Sequence, residues 1–175
     1  MVSFRDFRRI FGYSSTEPAA IPQMGKSFIV DEETLEFFND LTGTLEIQLT
    51  EPAQPIGGLL NVEAPPHAKL VSLHLSLAVF DSTTEKTRPL TDEELDRTVF
   101  EASEIRLQGE SGEPVTHQAP NSTEFTVRDL IQAIEETERK TRGSTQWLGG
   151  IDVHHCFFEG LHESNNGSWE ICWGS

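Results

Sequence analysis

The C-terminal stretch, residues 147–175, constrains the fold most, because it holds all three tryptophans, both cysteines and three of the six histidines. Within it, segments 151–158 and 168–173 are rich in β-branched and aromatic residues. A polar segment that ends in Asn-Gly separates them. This pattern predicts a β-hairpin.

The register of this hairpin decides which side chains share a face, because side chains alternate across a strand. We expect Cys156 to lie opposite Cys172. One face then forms core and consists of Ile151, Val153, His155, Phe157, Trp169, Ile171 and Trp173. The other face concentrates ionisable and metal-capable groups, namely Asp152, His154, Cys156, Phe158, Glu170 and Cys172. That second face is the candidate site.

Three interpretations of the two cysteines are open. Cysteine often packs as a small apolar residue, which favours a structural role for Cys156 and Cys172. Together with the imidazole of His154 they could instead supply three of the four ligands of a tetrahedral zinc ion, although the short Cys-x2-4-Cys spacing is absent. A cross-strand disulfide is the third interpretation, and it needs an oxidising compartment.

The charge balance is strongly acidic, with 13 Lys+Arg against 29 Asp+Glu and a formal net charge of −16. Such a chain repels phosphate backbones and anionic lipid surfaces, so we expect no nucleic-acid partner and no membrane partner. The sequence has neither a long apolar span nor an apolar N-terminal core of the kind found in secretory signals. A cytoplasmic location is therefore expected.

The N-terminal residues 1–26 differ from the rest of the chain. Residues 1–12 place Phe4, Phe7, Ile10 and Phe11 at helical spacing with arginines between them, which predicts a short amphipathic helix. This helix would either cap the core of its own domain or dock elsewhere. Residues 13–26 resemble a linker, so we assign 1–26 to an amphipathic segment and linker and 27–175 to a single domain.

The acidic residues are concentrated between residues 27 and 68, where eight acids occur without a lysine or arginine. Most such runs are solvated faces. The densest part falls on a predicted helix that Asp31 caps and Gly43 ends. Its acids are the candidate binding residues: Asp31, Glu32, Glu33, Glu36 and Asp40.

Alternation and capping signals predict the fold. Residues 69–80 alternate apolar and polar side chains like a long strand, and residues 98–107 are typical of another. Thr126 and Asp129 have capping-box spacing and open a helix over 126–142, whereas 109–122 is typical of a surface loop. We expect an α+β fold, in which an antiparallel sheet of about five or six strands packs the 126–142 helix on one face and ends in the C-terminal hairpin.

The charge pattern and the hairpin support two hypotheses about function, which belong to different classes. The dense acids favour a small binding protein that docks a basic protein partner, as an inhibitor or immunity-type protein would. The alternative is a metal- or thiol-dependent enzyme on the polar face of the hairpin, with His154 as general base and Cys156 and Cys172 as ligands or nucleophile. Zinc is the cofactor implied by that alternative. The sequence has no phosphate-binding glycine loop or nucleophile elbow that would name an enzyme class.

Overall fold

The computed structural model describes residues 29–50, 54–55, 62–63, 68–144 and 151–175, and the predicted N-terminal segment and linker, residues 1–26, lie outside them. The predicted α+β fold is confirmed at this level. In chain order the elements are β1 (Ile29–Val30), α1 (Glu32–Asn39), β2 (Thr42–Leu49), β3 (Gln54–Pro55), β4 (Val62–Glu63), β5 (Leu70–Asp81), β6 (Lys86–Pro89), α2 (Asp92–Leu95), β7 (Thr98–Glu101), β8 (Glu104–Gln108), β9 (Val115–Gln118), β10 (Phe125–Thr126), α3 (Val127–Thr141), a 3-10 turn (Arg142–Ser144), β11 (Phe157–Glu163) and β12 (Trp169–Gly174).

The main sheet has seven strands in the order β6-β5-β2-β11-β12-β8-β9, so it is larger than the five or six strands predicted. Every neighbouring pair is antiparallel except β12 and β8, which run parallel. A second sheet of three strands has the order β1-β7-β10, and β3 pairs with β4. The sheet is therefore mixed, although mostly antiparallel.

Helix α3 forms where the sequence predicted it. Thr126 Oγ1 accepts a hydrogen bond from Asp129 N at 3.3 Å, and Asp129 Oδ2 accepts from Thr126 N at 2.9 Å, which completes a capping box. Val127, Leu130 and Ile134 are fully buried along one stripe of the helix. None of the helices in the described part of the chain is long and apolar enough to cross a membrane.

The main sheet curves around α3. The helix contacts both β5 and β8, although β2, β11 and β12 lie between those two strands in the sheet. Aromatic side chains fill the space between the sheet and the elements that cover it. Phe38 of α1 packs edge-on against Phe158 at 5.4 Å between ring centroids, and Phe158 packs in the same way against Trp173 at 5.9 Å. The core is thus continuous from α1 to the C-terminal hairpin.

Side chains of α3 also contact the edge of β5 that faces away from β2. On that edge β6 pairs only with residues 78–81, and no strand of the described chain pairs with the residues before them. Glu135 Oε1 accepts a hydrogen bond from Leu75 N at 2.8 Å. Arg139 Nη2 donates to Leu73 O at 3.3 Å. A carboxylate and a guanidinium therefore satisfy backbone groups that a neighbouring strand would otherwise satisfy.

Several predicted boundaries were wrong. The 109–122 segment contains strand β9, which pairs with β8 although glycine and proline flank it. The single strand expected over 98–107 is two strands in different sheets. Helix α1 ends at Asn39, and Gly43 lies within β2. In each case pairing with another strand overrides the local signal.

The predicted hairpin register was also wrong, although Trp169, Ile171 and Trp173 are buried as expected. Strand β11 begins at Phe157, and Cys172 pairs with Gly160 rather than with Cys156. The pairing shifts between Phe158 and Gly160, which marks a β-bulge. Phe158 consequently faces the core at 5% exposure, whereas Phe157, expected in the core, is 52% exposed.

Glycine at position 160 allows this bulge. Gly160 has a φ of 108°, and a Cβ there would lie 2.9 Å from Asn39 Oδ1. The Asn39 amide holds the next residue, since its Oδ1 accepts from Leu161 N at 2.8 Å and its Nδ2 donates to Leu161 O at 3.3 Å. The end of α1 therefore fixes the register of β11.

Candidate functional site

A cluster of buried polar side chains begins at the C-terminal end of α3. Glu138 lies in the last turn, and Arg142 is the C-cap residue one turn later. Arg142 Nε donates to Glu138 Oε2 at 2.6 Å, and both side chains are completely buried. A buried ion pair requires that its remaining hydrogen-bonding atoms also find partners.

Strand β12 supplies one such partner. Trp173 Nε1 donates to Glu138 Oε1 at 3.0 Å, so both oxygens of the carboxylate accept a hydrogen bond. The Arg142 guanidinium carbon lies 5.3 Å from the centroid of the Trp173 ring, within the range of a cation-π contact. The indole therefore contacts both members of the ion pair.

The segment after α3 brings Asp152 to this pair. Arg142 Nη1 donates to Asp152 O at 3.0 Å. The carboxylate of Asp152 turns back on its own segment, since Oδ1 accepts from His154 N at 2.7 Å and from His155 N at 3.3 Å. This is the local hydrogen bonding that aspartate favours in a turn.

The same carboxylate positions the imidazole of His155. Asp152 Oδ2 and His155 Nδ1 are 2.7 Å apart, and the side chain of Asp152 is 1% exposed while that of His155 is 28% exposed. Burial acts to raise the pKa of Asp152, but the hydrogen bonds from the His155 ring and from the two backbone amides together lower the pKa below its usual value. Asp152 is therefore a carboxylate at neutral pH.

Glu110, in the connection between β8 and β9, completes the cluster. One oxygen of Glu110, one oxygen of Asp152 and one ring nitrogen of His155 all lie within 4.8 Å of one another. Partial burial raises the pKa of Glu110, and the negative charge of Asp152 raises it further, against the opposing effects of His155 and Arg142. Two carboxylates and an imidazole are donors that can hold a divalent metal ion.

One donor of the cluster has no protein partner within the described residues. It is Nη2 of Arg142, on a side chain that is completely buried. Buried polar atoms are nearly always hydrogen-bonded in native proteins, so a buried guanidinium nitrogen of this kind indicates that an acceptor belongs beside it. The cluster therefore consists of Glu110, Glu138, Arg142, Asp152 and His155. Nη2 of Arg142 is its one hydrogen-bond donor without an acceptor among the described residues.

The residues predicted as catalytic or metal-binding are divided between two environments. Cys156 packs against the hydrophobic core. Cys172 alternates with the buried residues Ile171 and Trp173 and points to the other side of the sheet. The shared face expected for the two cysteines was therefore wrong, because residues 151–156 form no strand and the bulge shifts β11.

The two thiols also differ in their charged neighbours. Burial raises the pKa of Cys156, which lies near Arg142 and Asp152. Burial likewise raises the pKa of Cys172, and the carboxylates of Glu170 and Glu159 raise it further. A raised thiol pKa leaves less of the thiolate that nucleophilic attack and zinc binding require. Both cysteines are free thiols in the described residues, so the cross-strand disulfide, the third interpretation from the sequence, is not formed. Roles for His154, Cys156 and Cys172 in catalysis or zinc binding stay predictions from the sequence.

The predicted binding residues do lie together on the surface. Asp31 caps α1 through a hydrogen bond from Thr34 N to Oδ1 at 2.9 Å. All five acids are exposed, while Thr34 and Phe38 on the opposite side of the helix are buried. These five define the α1 acidic face: Asp31, Glu32, Glu33, Glu36 and Asp40.

Sequence reasoning missed the residues that carry the buried cluster. His155 was placed on a core face, and Glu110 was placed in a plain surface loop. One local signal was present, since Glu138 and Arg142 have the i,i+4 spacing of a helical ion pair. Nothing local indicates that this pair is buried or that Asp152 joins it.

Comparisons with known proteins add no relationship. A scan of the sequence against protein-family models finds no match, and searches of curated proteins and of solved structures find no significant match either.

Proposed function

We propose that this protein binds a basic partner protein through the α1 acidic face, as an inhibitor or immunity-type protein would. One observation carries the proposal. Five exposed acids lie within one short helix and its caps, and the buried side of the helix holds them on a rigid element. Dense charge of one sign speeds the encounter with an oppositely charged surface and orients it.

The stability of α1 does not account for all of these acids. Asp31, Glu32 and Glu33 lie at the N-terminal end, where the helix dipole favours negative charge. Asp40 is the C-cap residue, where the dipole favours a cation, and the last turn contains no basic residue. Asp40 therefore opposes the stability of the helix that carries it. A role in binding gives a reason for an acid at this position.

Basic residues elsewhere in the described chain neutralise little of the negative charge on the α1 acidic face. Among the described residues, the one ion pair to the α1 acidic face joins Glu33 to Arg97 at 3.5 Å, and the Glu33 side chain is 91% exposed. Exposed pairs of this kind contribute little. Arg97 also lies over the ring of Phe37 at 4.8 Å, so packing holds it in place. Most of the negative charge on α1 is thus available to a partner.

The test is affinity capture from a lysate with the full chain as bait, followed by identification of bound proteins by mass spectrometry. A basic protein should bind at about 0.1 M salt and be lost at about 1 M, where the screening length falls from roughly 10 to 3 Å. The triple variant Glu32→Gln/Glu36→Gln/Asp40→Asn should lose that protein. The control Glu85→Gln/Glu113→Gln/Glu170→Gln changes the net charge equally at dispersed exposed positions and should retain it.

A further variant separates binding from folding. Asp40→Lys should raise the stability of the protein slightly, by about 0.3–1 kcal/mol, because a cation suits the helix C-terminus. It should nevertheless weaken capture. Equal capture by the native chain and the triple α1 variant would contradict the proposal, and so would a set of captured proteins with no basic member.

The enzyme alternative has less support. Its metal-dependent form needs Cys156 and Cys172 close together. However, Cys156 precedes the residue that pairs with Gly174, and Cys172 pairs with Gly160. The raised pKa values of both thiols also disfavour thiolate chemistry at neutral pH.

A further inference from the structure

We propose that Glu110, Asp152 and His155 form a binding site for a divalent transition-metal ion. Their candidate ligand atoms lie within 4.8 Å of one another, so small side-chain movements bring all three to one ion. The residues come from two separate segments, the β8–β9 connection and the turn after α3. The site is distinct from the α1 acidic face and goes beyond the proposed docking function.

Two of the three ligands are already oriented. Asp152 is buried and receives three hydrogen bonds that fix its carboxylate and keep it ionised. The bond between Asp152 Oδ2 and His155 Nδ1 fixes the imidazole ring. In metal centres a ligating histidine donates its other ring N–H to a carboxylate, so this contact assigns the ligand role to Nε2 of His155. Binding therefore requires little further ordering of these side chains.

The local charge also favours a cation. A carboxylate oxygen of Glu110 and one of Asp152 lie within 4.8 Å of each other, and a divalent ion relieves the repulsion between the two charges. The nearby positive charge of Arg142 is compensated by Glu138 at 2.6 Å. The two carboxylates therefore leave an excess of negative charge around the three ligand atoms.

The buried guanidinium supplies an independent reason to expect a ligand here. Arg142 Nη1 donates to Asp152 O, and its Nη2 has no partner within the described residues. A metal ion with three protein ligands keeps water or another oxygen ligand in its remaining positions. Nη1 of the same guanidinium already contacts the backbone of Asp152, so an oxygen ligand bound on that side of the ion would offer Nη2 an acceptor.

The ligand set selects among ions. Mg²⁺ and Ca²⁺ prefer sites built of oxygen ligands alone, whereas an imidazole with two carboxylates suits Zn²⁺ or Mn²⁺. For the same donors the usual order of affinities places Zn²⁺ above Mn²⁺. We therefore expect Zn²⁺ to bind tightest, Mn²⁺ more weakly, and Mg²⁺ and Ca²⁺ weakly or not at all.

The test is isothermal titration of the full chain, first freed of metal with chelator, with Zn²⁺, Mn²⁺, Mg²⁺ and Ca²⁺. Glu110→Gln removes an exposed ligand and should leave the fold intact, as circular dichroism will check. It should weaken Zn²⁺ binding at least tenfold, since loss of even an outer partner costs 10–100-fold in metal centres. His155→Gln should weaken it similarly. Glu113→Gln, an exposed acid in the same connection, is the matched control and should bind like the native chain.

A second measurement reports the site directly. In nitrogen-detected NMR, Zn²⁺ should shift the ring nitrogens of His155 at one molar equivalent, before those of His74 and His162 move. No binding of Zn²⁺ or Mn²⁺ would overturn the proposal. Equal weakening by Glu110→Gln and Glu113→Gln would also overturn it, because the ion would then be held by general negative charge.

Discussion

Trp173 Nε1 donates a hydrogen bond of 3.0 Å to Glu138 Oε1 and so joins the last strand of the main sheet to the last turn of α3. The second oxygen of the same carboxylate accepts from Arg142 Nε at 2.6 Å. Because all of this lies in the interior, loss of the carboxylate would leave a buried guanidinium without a counter-charge and an indole without an acceptor.

Glu138→Ala should therefore destabilise the protein by about 3–5 kcal/mol, the usual cost of breaking a buried ion pair by removing one partner. Equilibrium unfolding in urea measures this. The matched control is Lys140→Ala in the same helix, which breaks the exposed pair with Glu136 at 2.6 Å and should cost about 1 kcal/mol or less. Similar losses in both variants would show that the buried pair contributes no more than a surface pair.

The bulge at Gly160 predicts opposite behaviour for two adjacent phenylalanines. Phe158→Ala should cost about 3–5 kcal/mol, because the ring is buried between Phe38 and Trp173. Phe157→Ala should change stability by about 0.5 kcal/mol or less, because its ring is largely exposed. The two substitutions remove the same atoms, so the difference between their urea midpoints reports which of the two rings is buried. A larger loss of stability for Phe157→Ala than for Phe158→Ala would contradict the bulge and support the register in which Cys156 lies opposite Cys172.

The burial of His117 predicts that the free energy of unfolding depends on pH. Burial lowers the pKa of this histidine below 6.5, and its Nε2 lies 2.8 Å from Thr137 Oγ1. The unfolded chain then binds a proton more readily than the folded protein, so the free energy of unfolding falls as the pH drops from about 6.5 through the lower folded-state pKa. Calorimetric melting from pH 7.5 to 5 measures the slope, which should be shallower for His117→Gln. An identical slope would contradict this role for His117.

The two cysteines should not form a disulfide within one chain. Phe157 pairs with Gly174, so Cys156 lies about 10 Å along the strand direction from Cys172, at roughly 3.3 Å per residue, and the side chains point to different sides. Mild oxidation followed by non-reducing peptide mapping should recover both thiols unlinked. At neutral pH both should also react slowly with a disulfide reagent, because each pKa is raised by burial. An intramolecular Cys156–Cys172 peptide would contradict the register.

The features that the sequence predicted correctly are those set by neighbours in the chain. The capping box at Thr126 lies within four consecutive residues, and the period of α3 is visible in its apolar stripe. The register of β11 depends instead on Asn39, which holds Leu161 from 122 positions away. A one-residue bulge exchanges the two faces of a strand, so local alternation alone could not assign them.

The candidate metal site was missed for the same physical reason. Asp152, His154 and Cys156 were interpreted as one strand face, although Asp152 uses its carboxylate to form a turn instead. Glu110 approaches from a connection more than forty positions earlier in the sequence. That connection packs against the end of α3 through long-range contacts, such as the hydrogen bond of 3.3 Å from Ser111 Oγ to Thr141 O, which local sequence does not indicate.

The contacts of Glu135 and Arg139 with β5 affect whether a second copy of this protein can pair with that strand. An unpaired strand edge is a template on which a second chain can add a strand, and that route leads to aggregation. Here two charged side chains already occupy the backbone groups of Leu75 and Leu73, so an incoming strand would have to displace the helix side chains first. Helix α3 thereby also hinders the pairing of the β5 edge with a strand from a second copy of the protein.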